Sequence, residues 1–314
     1  MLSLNSFVRA SQEKQIDLDA VMVIQDGITL GLQRLDDMIY HNVFSIAKSF
    51  LVTGIGMAVD EGLLSLEDKP VDMFKEYLPE GYDKRWDKVT LIHLMTMTSG
   101  HGQPFLMAAE RKKLKDVNSD YPEAAKKEWL VHAFSCPMSY EPGEKFSYGN
   151  LAPYVAGRML EKAVGMSVCD YLYQKLWEPM HVKKPHWGTD PAGHTFPASD
   201  LYLDIADMIK LGELYLNDGV YEGRRYLPSE WVQAATGMQV DSSVINPPGY
   251  GDDELCGYGY YFWHNSKGGF RAYGREGQFV IVLPEKKAVI ATQAMHHNVQ
   301  DVLDLVWEHI EPQL

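Results

Sequence analysis

The run Phe44-Ser45-Ile46-Ala47-Lys48-Ser49-Phe50 places a serine and a lysine three residues apart inside an almost wholly apolar stretch. From 46 to 59 the pattern is helical and apolar nearly all round, which predicts a central core helix. Side chains at positions i and i+3 share one helix face about 5–6 Å apart, so Lys48 can reach Ser45. A buried lysine is costly unless it is paired or neutral. A neutral amine beside a hydroxyl is a base that can take the serine proton.

The same spacing also allows a purely structural interpretation. Ser45 could cap the amino terminus of the helix while Lys48 extends outward to solvent. The pattern recurs at Ser11-Gln12-Glu13-Lys14, a polar segment that is typical of a solvated helix end. Spacing alone therefore does not separate catalysis from capping, and the decision depends on the rest of the chain.

Size and charge limit the classes of function. A chain of 314 residues can bury a large core as one two-part domain or as two domains. Its formal net charge of −14 argues against nucleic acid or an anionic membrane surface as a partner. No apolar run approaches the length of a membrane span. The widely spaced Cys136, Cys169 and Cys256 are expected to be reduced and structural.

The amino terminus has neither the apolar core nor the cleavage site of a signal peptide. We therefore expect a cytoplasmic protein. The sequence leaves its oligomeric state open.

Strand-like segments lie near both ends of the chain. Segments 20–24 and 28–30 flank Asp26-Gly27, a hairpin signal. Further strand-like segments, rich in aromatic or β-branched residues, are 257–263, 279–283 and 288–292. The helical patterns between them are 91–97, 123–132, 151–164, 168–176, 204–216 and 229–235.

This order predicts an α+β fold with one antiparallel sheet built from both chain ends, flanking helices and an inserted, mostly helical region. We expect residues 1–40 and 250–314 to form the sheet region and residues 41–249 the mostly helical region. The active site would lie between them.

A second informative segment is Glu141-Pro142-Gly143-Glu144-Lys145-Phe146-Ser147-Tyr148-Gly149-Asn150. Pro142-Gly143 predicts a turn, and the helical pattern starts at residue 151, so Tyr148 and Asn150 lie on a shaped loop at a helix start. Tyr-x-Asn is not specific by itself, because 40–42 and 215–217 match it too. The structural alternative for Tyr148 is a core aromatic residue with a satisfied hydroxyl. Taken alone, Asn150 is better explained as a turn or N-cap residue.

Together, Ser45-x-x-Lys48 and Tyr148-x-Asn150 resemble the serine β-lactamase and penicillin-binding-protein superfamily, for which Ser-x-x-Lys is a known signature. The similarity is to its class C β-lactamase-related serine hydrolases and family VIII esterases. It runs in the family's order from about residue 18 to residue 312, through 58–69, 89–100, 204–212 and 274–278. On this joint evidence we favour catalysis over capping at Ser45.

The resemblance implies a role for each matching residue. Ser45 would be the acylated nucleophile, and Lys48 would be its neutral base with a pKa lowered by burial. Tyr148 would be a second acid/base that protonates the leaving group and later activates water. Asn150 would hold Lys48 or donate to an oxygen of the substrate.

The family's strand triplet, Lys-Thr-Gly or His-x-Gly, corresponds here to Ala272-Tyr273-Gly274, so Gly274 is kept and the cation is lost. The oxyanion hole would consist of the backbone N–H groups of Ser45 and Arg275. Arg271 or Arg275 could replace the missing cation as an anion clamp, although a surface arginine is the alternative for either.

The expected activity is therefore that of a serine hydrolase acting through an acyl-enzyme on small esters or amides. No cofactor or metal is expected, since His296-His297 lacks the spacing of metal ligands. β-Lactamase activity, D-amino-acid peptidase activity and a non-catalytic relative that is acylated without turnover are the alternatives.

Overall fold

The computed structural model describes residues 2–244 and 251–314. The α-helices in these residues are α1 Asn5–Glu13, α2 Ile46–Asp60, α3 Pro70–Met73, α4 Leu91–Met95, α5 Ala108–Lys115, α6 Glu123–Lys127, α7 Trp129–Ser135, α8 Leu151–Val164, α9 Val168–Leu172, α10 Ile205–Leu216, α11 Ser229–Thr236 and α12 Val299–His309. The strands are β1 Leu18–Gln25, β2 Ile28–Arg34, β3 His41–Asn42, β4 Tyr202–Leu203, β5 Val220–Tyr221, β6 Arg224–Arg225, β7 Trp263–His264, β8 Phe270–Gly274, β9 Gln278–Leu283 and β10 Ala288–Ala294.

Six strands form one antiparallel sheet in the order β2-β1-β10-β9-β8-β7. The turn Asp26-Gly27 joins β1 to β2, and its residues have φ of +49° and +74°, as a tight hairpin turn of this kind requires. At the centre of the sheet, Val23 of β1 lies opposite Ile290 of β10. The prediction of an α+β fold with a sheet built from both chain ends is therefore confirmed.

Helices cover both faces of this sheet. On one face α1 and α12 bury Phe7 and Val306 in a core with Ile281 and Ile290 of the sheet. Both isoleucines are fully buried. This first core joins the two chain ends to each other.

The opposite face carries the larger core, which contains α2, α8 and α10. Helix α10 lies directly on β9 and β10. It can approach because residue 212 is glycine: a Cβ there would be 2.4 Å from a methyl carbon of Val289. Every residue of α2 from Ile46 to Ala58 is buried. The predicted central core helix is therefore confirmed, and Ser45 stands at its amino end.

One predicted helix is divided in two. The pattern over 123–132 forms α6 and α7, with an extended backbone at Glu128 between them (φ −136°, ψ 108°). The carboxylate of Glu128 accepts a hydrogen bond from the N–H of Leu130 at 2.9 Å. Glu128 therefore caps the second helix, which runs on to Ser135. The prediction of one uninterrupted helix was wrong, because the chain is extended at Glu128 and the side chain of Glu128 caps a new helix there.

The aromatic segment 257–263 is also different from the prediction. Only Trp263–His264 forms a strand, while Tyr258 makes isolated bridges to Val240 and Trp263. Gly257 and Tyr261 have φ of +111° and +57°, which interrupts an extended strand. Local strand preference is overridden here by packing, since Tyr258 is buried among other aromatic rings.

No helix in the described part of the chain is both long enough and apolar enough to span a bilayer. The division into a sheet region (1–40 and 250–314) and a mostly helical region (41–249) stays a prediction. Its boundary at 249/250 lies outside the described residues.

Candidate active site

The candidate nucleophile begins the core helix. Ser45 occupies the N-cap position of α2, but its side chain makes no capping hydrogen bond. The preceding Phe44 has φ of +47°, a backbone conformation that non-glycine residues rarely adopt. Its N–H is held by the side-chain oxygen of Asn42 at 2.9 Å. Ser45 therefore has the position of a cap while its hydroxyl is directed to another partner.

That partner is the amine of Lys48, which is 1% exposed. Its Nζ lies 2.8 Å from Ser45 Oγ, 2.9 Å from Asn150 Oδ1 and 2.8 Å from the carbonyl oxygen of Ala198. The amide and carbonyl oxygens can only accept hydrogen bonds, whereas the hydroxyl can also donate. A neutral amine that donates its two protons to Asn150 and Ala198 must therefore turn its lone pair toward Ser45.

The surroundings of Lys48 favour this neutral form. Burial lowers its pKa well below the ordinary value of a lysine, and the positive charge of Arg111 lowers it further. The carboxylate of Asp200 acts in the opposite direction. Arg111 and Asp200 form an ion pair with each other, so their effects on Lys48 partly cancel and desolvation dominates.

The segment that contains Ala198 is held on both sides by a buried tryptophan. The indole N–H of Trp187 donates to the carbonyl oxygens of Phe196 and Ser199, at 3.1 and 2.9 Å. Asp200, at the end of this segment, has φ of +62° and is bound by Arg111. Trp187 is buried, and its two hydrogen bonds fix the loop that binds Lys48.

Tyr148 lies on a loop that is tied to the residues following α4. The N–H of Gly143 donates to the carbonyl of Thr98, and the N–H of Ser147 donates to that of Met97, both at 2.8 Å. Lys48 Nζ lies 5.1 Å from the centroid of the Tyr148 ring. The ring of Tyr148 also packs on aromatic neighbours, with its centroid 5.5 Å from that of Trp263. The structure thus places the predicted tyrosine beside the predicted lysine.

Asn150 stands at the N-cap position of α8, yet its side chain makes no cap bond. Its Oδ1 accepts from Lys48, and its Nδ2 donates to the carbonyl of Leu106 at 3.2 Å. Its backbone N–H donates to the carbonyl of Phe105 at 3.1 Å. The side chain therefore orients Lys48, which is one of the two roles that the resemblance implies for it.

The end of β8 lies against the segment that leads into Ser45. Residue 274 must be small, because a Cβ on Gly274 would be 2.2 Å from the carbonyl oxygen of Val43. Arg275 follows, with a side chain 66% exposed and its Nε 3.4 Å from a carboxylate oxygen of Glu276. Among the described residues, no acceptor takes the backbone N–H of Ser45. Both expected oxyanion donors thus lie on neighbouring segments.

Arg271 is not the surface residue that the sequence suggested as one alternative. It is 0% exposed, and its guanidinium donates to the carbonyl of His264 and to Asn265 Oδ1. On β8 it lies opposite Ile281, whose side chain belongs to the core under α1 and α12. The alternation of side chains along a strand therefore places Arg271 on the face of the sheet that is turned away from α2.

Sequence reasoning missed three contributors to this site: Ala198, Arg111 and Asp200. Ala198 acts through a backbone oxygen, which every residue carries, so its side chain gives no signal. Arg111 and Asp200 are 89 positions apart in the chain, and only the fold pairs them. Two clusters of possible metal ligands occur in the described residues, but neither contains a residue bonded to Ser45 or Lys48.

A family model described as Beta-lactamase matches residues 4–304. The chain belongs to this family. The predicted resemblance is therefore confirmed at the level of the beta-lactamase family.

Relatives of this chain are named for different reactions. Over 188 residues the chain is 24% identical to the lovastatin esterase of Penicillium rubens, covering 56% of this chain and 44% of that protein. Over 199 residues it is 21% identical to the 6-aminohexanoate-dimer hydrolase of Paenarthrobacter ureafaciens, covering 62% of this chain and 50% of that protein. The chain thus spans about half the length of these curated relatives.

Among solved structures, the octameric penicillin-binding protein homologue from Pyrococcus abyssi is similar, with a TM-score of 0.72 and 22% identity. The similarity covers 97% of this chain and 76% of that one. At this level of identity the comparison shows that the fold is the same.

Proposed function

We propose that the protein is a serine hydrolase that forms an acyl-enzyme on Ser45. The observation that carries this proposal is the environment of the Lys48 amine. Two carbonyl-type oxygens accept its protons, and a third partner, the hydroxyl of Ser45, lies 2.8 Å away. A buried neutral amine oriented in this way is a general base, and capping does not require it.

The proposed reaction transfers the Ser45 hydroxyl proton to Lys48 while Oγ attacks the carbonyl carbon of the substrate. The resulting tetrahedral intermediate collapses when the bond to the leaving group breaks, and the leaving alkoxide or amine takes a proton from Tyr148. Lys48 keeps its proton, so Tyr148 remains a phenolate beside the ammonium. Water then attacks the ester on Ser45 and gives a proton to Tyr148. The ester bond breaks as Oγ takes the proton from Lys48, which releases the acid and restores the hydroxyl, the neutral amine and the phenol.

The negative oxygen of each tetrahedral intermediate needs donors that are already in place. We assign these to the backbone N–H groups of Ser45 and Arg275. The first stands in the turn that leads into α2, and the second follows Gly274, which approaches Val43 closely. Loss of one such donor in a serine hydrolase typically costs roughly 10²–10³-fold in kcat.

Small neutral esters or amides are the substrate class we propose. A substrate carboxylate would need a cation, and the strand triplet Ala272-Tyr273-Gly274 offers none. Arg271 is buried on the other face of the sheet, and Arg275 is exposed beside Glu276. The relative named as a lovastatin esterase suggests an ester as the starting point.

The test compares kcat/KM for nitrophenyl butyrate and a chromogenic cephalosporin on one preparation. Loss of a charge-assisted hydrogen bond costs roughly 1.5–3 kcal/mol, which corresponds to about ten- to a hundredfold or more in kcat/KM. We therefore expect measurable ester hydrolysis and poor cephalosporin turnover, both absent from the Ser45→Ala variant. A clearly higher value for the cephalosporin would contradict the substrate class. Acylation without turnover of either compound would instead favour the non-catalytic alternative.

A further inference from the structure

A second group of chemically reactive side chains lies behind the candidate active site. Glu110 of α5 and His132 of α7 meet with Oε1 2.8 Å from Nε2. Cys136, just beyond the end of α7, places its Sγ 3.6 Å from the same nitrogen. One ligand atom from each of the three residues lies within 4.8 Å of the other two.

A single proton cannot serve both contacts of His132 Nε2. If His132 Nε2 carries a proton and donates it to Glu110, the thiol of Cys136 finds no lone pair on that nitrogen. If Nε2 instead accepts the thiol proton, its lone pair faces a carboxylate oxygen at 2.8 Å. One proton on Nε2 therefore serves only one of its two contacts, whereas a cation at the centre would serve all three side chains.

The distances are close to those of a zinc site. Tetrahedral angles and usual zinc bond lengths require about 3.6 Å between sulfur and nitrogen and about 3.4 Å between nitrogen and oxygen. The Cys136–His132 distance of 3.6 Å already matches. The Glu110–His132 distance of 2.8 Å would have to open by about half an ångström. The side chains of Glu110 and His132 are 19% and 10% exposed, and Cys136 is buried.

We propose that Glu110, His132 and Cys136 bind a Zn²⁺ ion, with water as the fourth ligand. Binding replaces the proton of the Cys136 thiol by the metal and releases that proton to solvent. A thiolate, a neutral imidazole and a carboxylate are the donor set that favours zinc over magnesium or calcium. This site was not predicted, because the predicted helix ended at His132 and excluded Cys136.

In the second cluster of possible ligands in the described residues, Asp19, Asp36 and His41, the two carboxylates lie closest to different nitrogens of one imidazole. Asp19 faces Nδ1 of His41 at 3.3 Å, whereas Asp36 faces Nε2 at 3.5 Å. The two ring nitrogens point in different directions, so each carboxylate has its own ion-pair partner. We assign no metal to this group.

The proposed ion would support the candidate active site from outside. The second carboxylate oxygen of Glu110 accepts the N–H of Leu106, a residue with φ of +57°. The carbonyl of Leu106 in turn binds the Asn150 side chain that orients Lys48. An outer-shell bond of this type fixes a metal ligand. A structural zinc would therefore hold the Leu106 turn in the conformation that Asn150 requires.

The experiment uses the untagged full chain, stripped with a chelator and then dialysed against buffered Zn²⁺. We expect about one equivalent of zinc by elemental analysis, and a rise in Tm of about 4 °C when free Zn²⁺ is about a hundred times Kd. Co²⁺ in place of Zn²⁺ should show a thiolate-to-cobalt charge-transfer band in the near ultraviolet. Both probes report on the site without any assay of hydrolysis.

The matched variants are Cys136→Ser and Cys169→Ser. The first should lose the cobalt band and weaken zinc binding by more than the roughly 10–100-fold that loss of an outer-shell partner costs. The second should bind like the wild type, since Cys169 contacts the carbonyl of Pro185 rather than a histidine. If Cys136→Ser fails to fold, His132→Gln and the wild-type cobalt spectrum decide the question. The proposal is overturned by wild-type protein that binds no zinc, by cobalt without a thiolate band, or by a Cys136→Ser variant with unchanged affinity.

Discussion

Replacing Asn150 by aspartate would put a carboxylate oxygen where the amide oxygen now lies 2.9 Å from the Lys48 amine. A carboxylate stabilises the charged ammonium form, so the pKa of Lys48, which burial now depresses, should rise. The base would then be protonated, and inactive, over a wider range of pH.

The size of this shift follows from the geometry. Opposite charges 3–4 Å apart at an effective dielectric constant of about 20 attract by about 4–6 kcal/mol, which corresponds to about 3–4 pKa units. Part of this gain is lost, because the second carboxylate oxygen would face the carbonyl of Leu106, which now accepts a bond from Asn150 Nδ2 at 3.2 Å. We therefore expect a net rise of about two units.

The assay is the pH dependence of kcat/KM for nitrophenyl butyrate, whose acid limb reports the pKa of the base in the free enzyme. In Asn150→Asp this limb should move upward by about two units, with a loss approaching about a hundredfold at low pH and recovery at high pH. Asn150→Leu is the matched neutral control, which should lower activity at every pH without an upward move. An unmoved limb in Asn150→Asp, or an equal move in Asn150→Leu, would refute the assignment of Lys48 as the base.

The remaining predictions concern proton transfer and packing. Tyr148→Phe should lower kcat by roughly 10²–10⁴-fold with little change in Tm, and near-wild-type turnover would assign the second acid/base to another residue. Lys48→Arg should be inactive at every pH, because a guanidinium does not deprotonate in proteins; activity recovered at high pH would contradict this. Gly56→Ala should destabilise the fold by about 1–3 kcal/mol in urea, because its Cβ would lie 2.3 Å from Nε1 of Trp231. Gly54→Ala, 3.2 Å from a Leu160 methyl, should stay within about 1 kcal/mol of wild type, and an equal loss in both would reject the steric explanation.

Features that depend on local pattern could be predicted from the sequence. The apolar run after Ser45 predicted a core helix, and Asp26-Gly27 predicted a hairpin turn between neighbouring strands. The pairing of Ser45 with Lys48 was accessible for the same reason, since a helix fixes the geometry of residues three apart. Asn150 needed the family resemblance, because its residue type alone is better explained as a cap.

Features that depend on distant contacts could not be predicted in this way. Ala198 contributes a backbone carbonyl, and Arg111 meets Asp200 only in the folded chain. The position of Arg271 depends on which face of β8 is turned toward the helices, and its residue type favours the surface. Glu128 interrupts a helical pattern because its own side chain caps the next helix. In each case a tertiary or capping interaction outweighed the local signal.

The central claim is that Ser45 is the one activated hydroxyl of this chain, and covalent labelling tests it most directly. A fluorophosphonate probe should add one equivalent per chain by intact mass, and peptide mapping should place it on Ser45. Ser45→Ala should lose both labelling and ester hydrolysis with an unchanged Tm, while Ser49→Ala, whose hydroxyl donates to the carbonyl of Tyr261, should label normally. Labelling that persists in a folded Ser45→Ala variant would contradict the account.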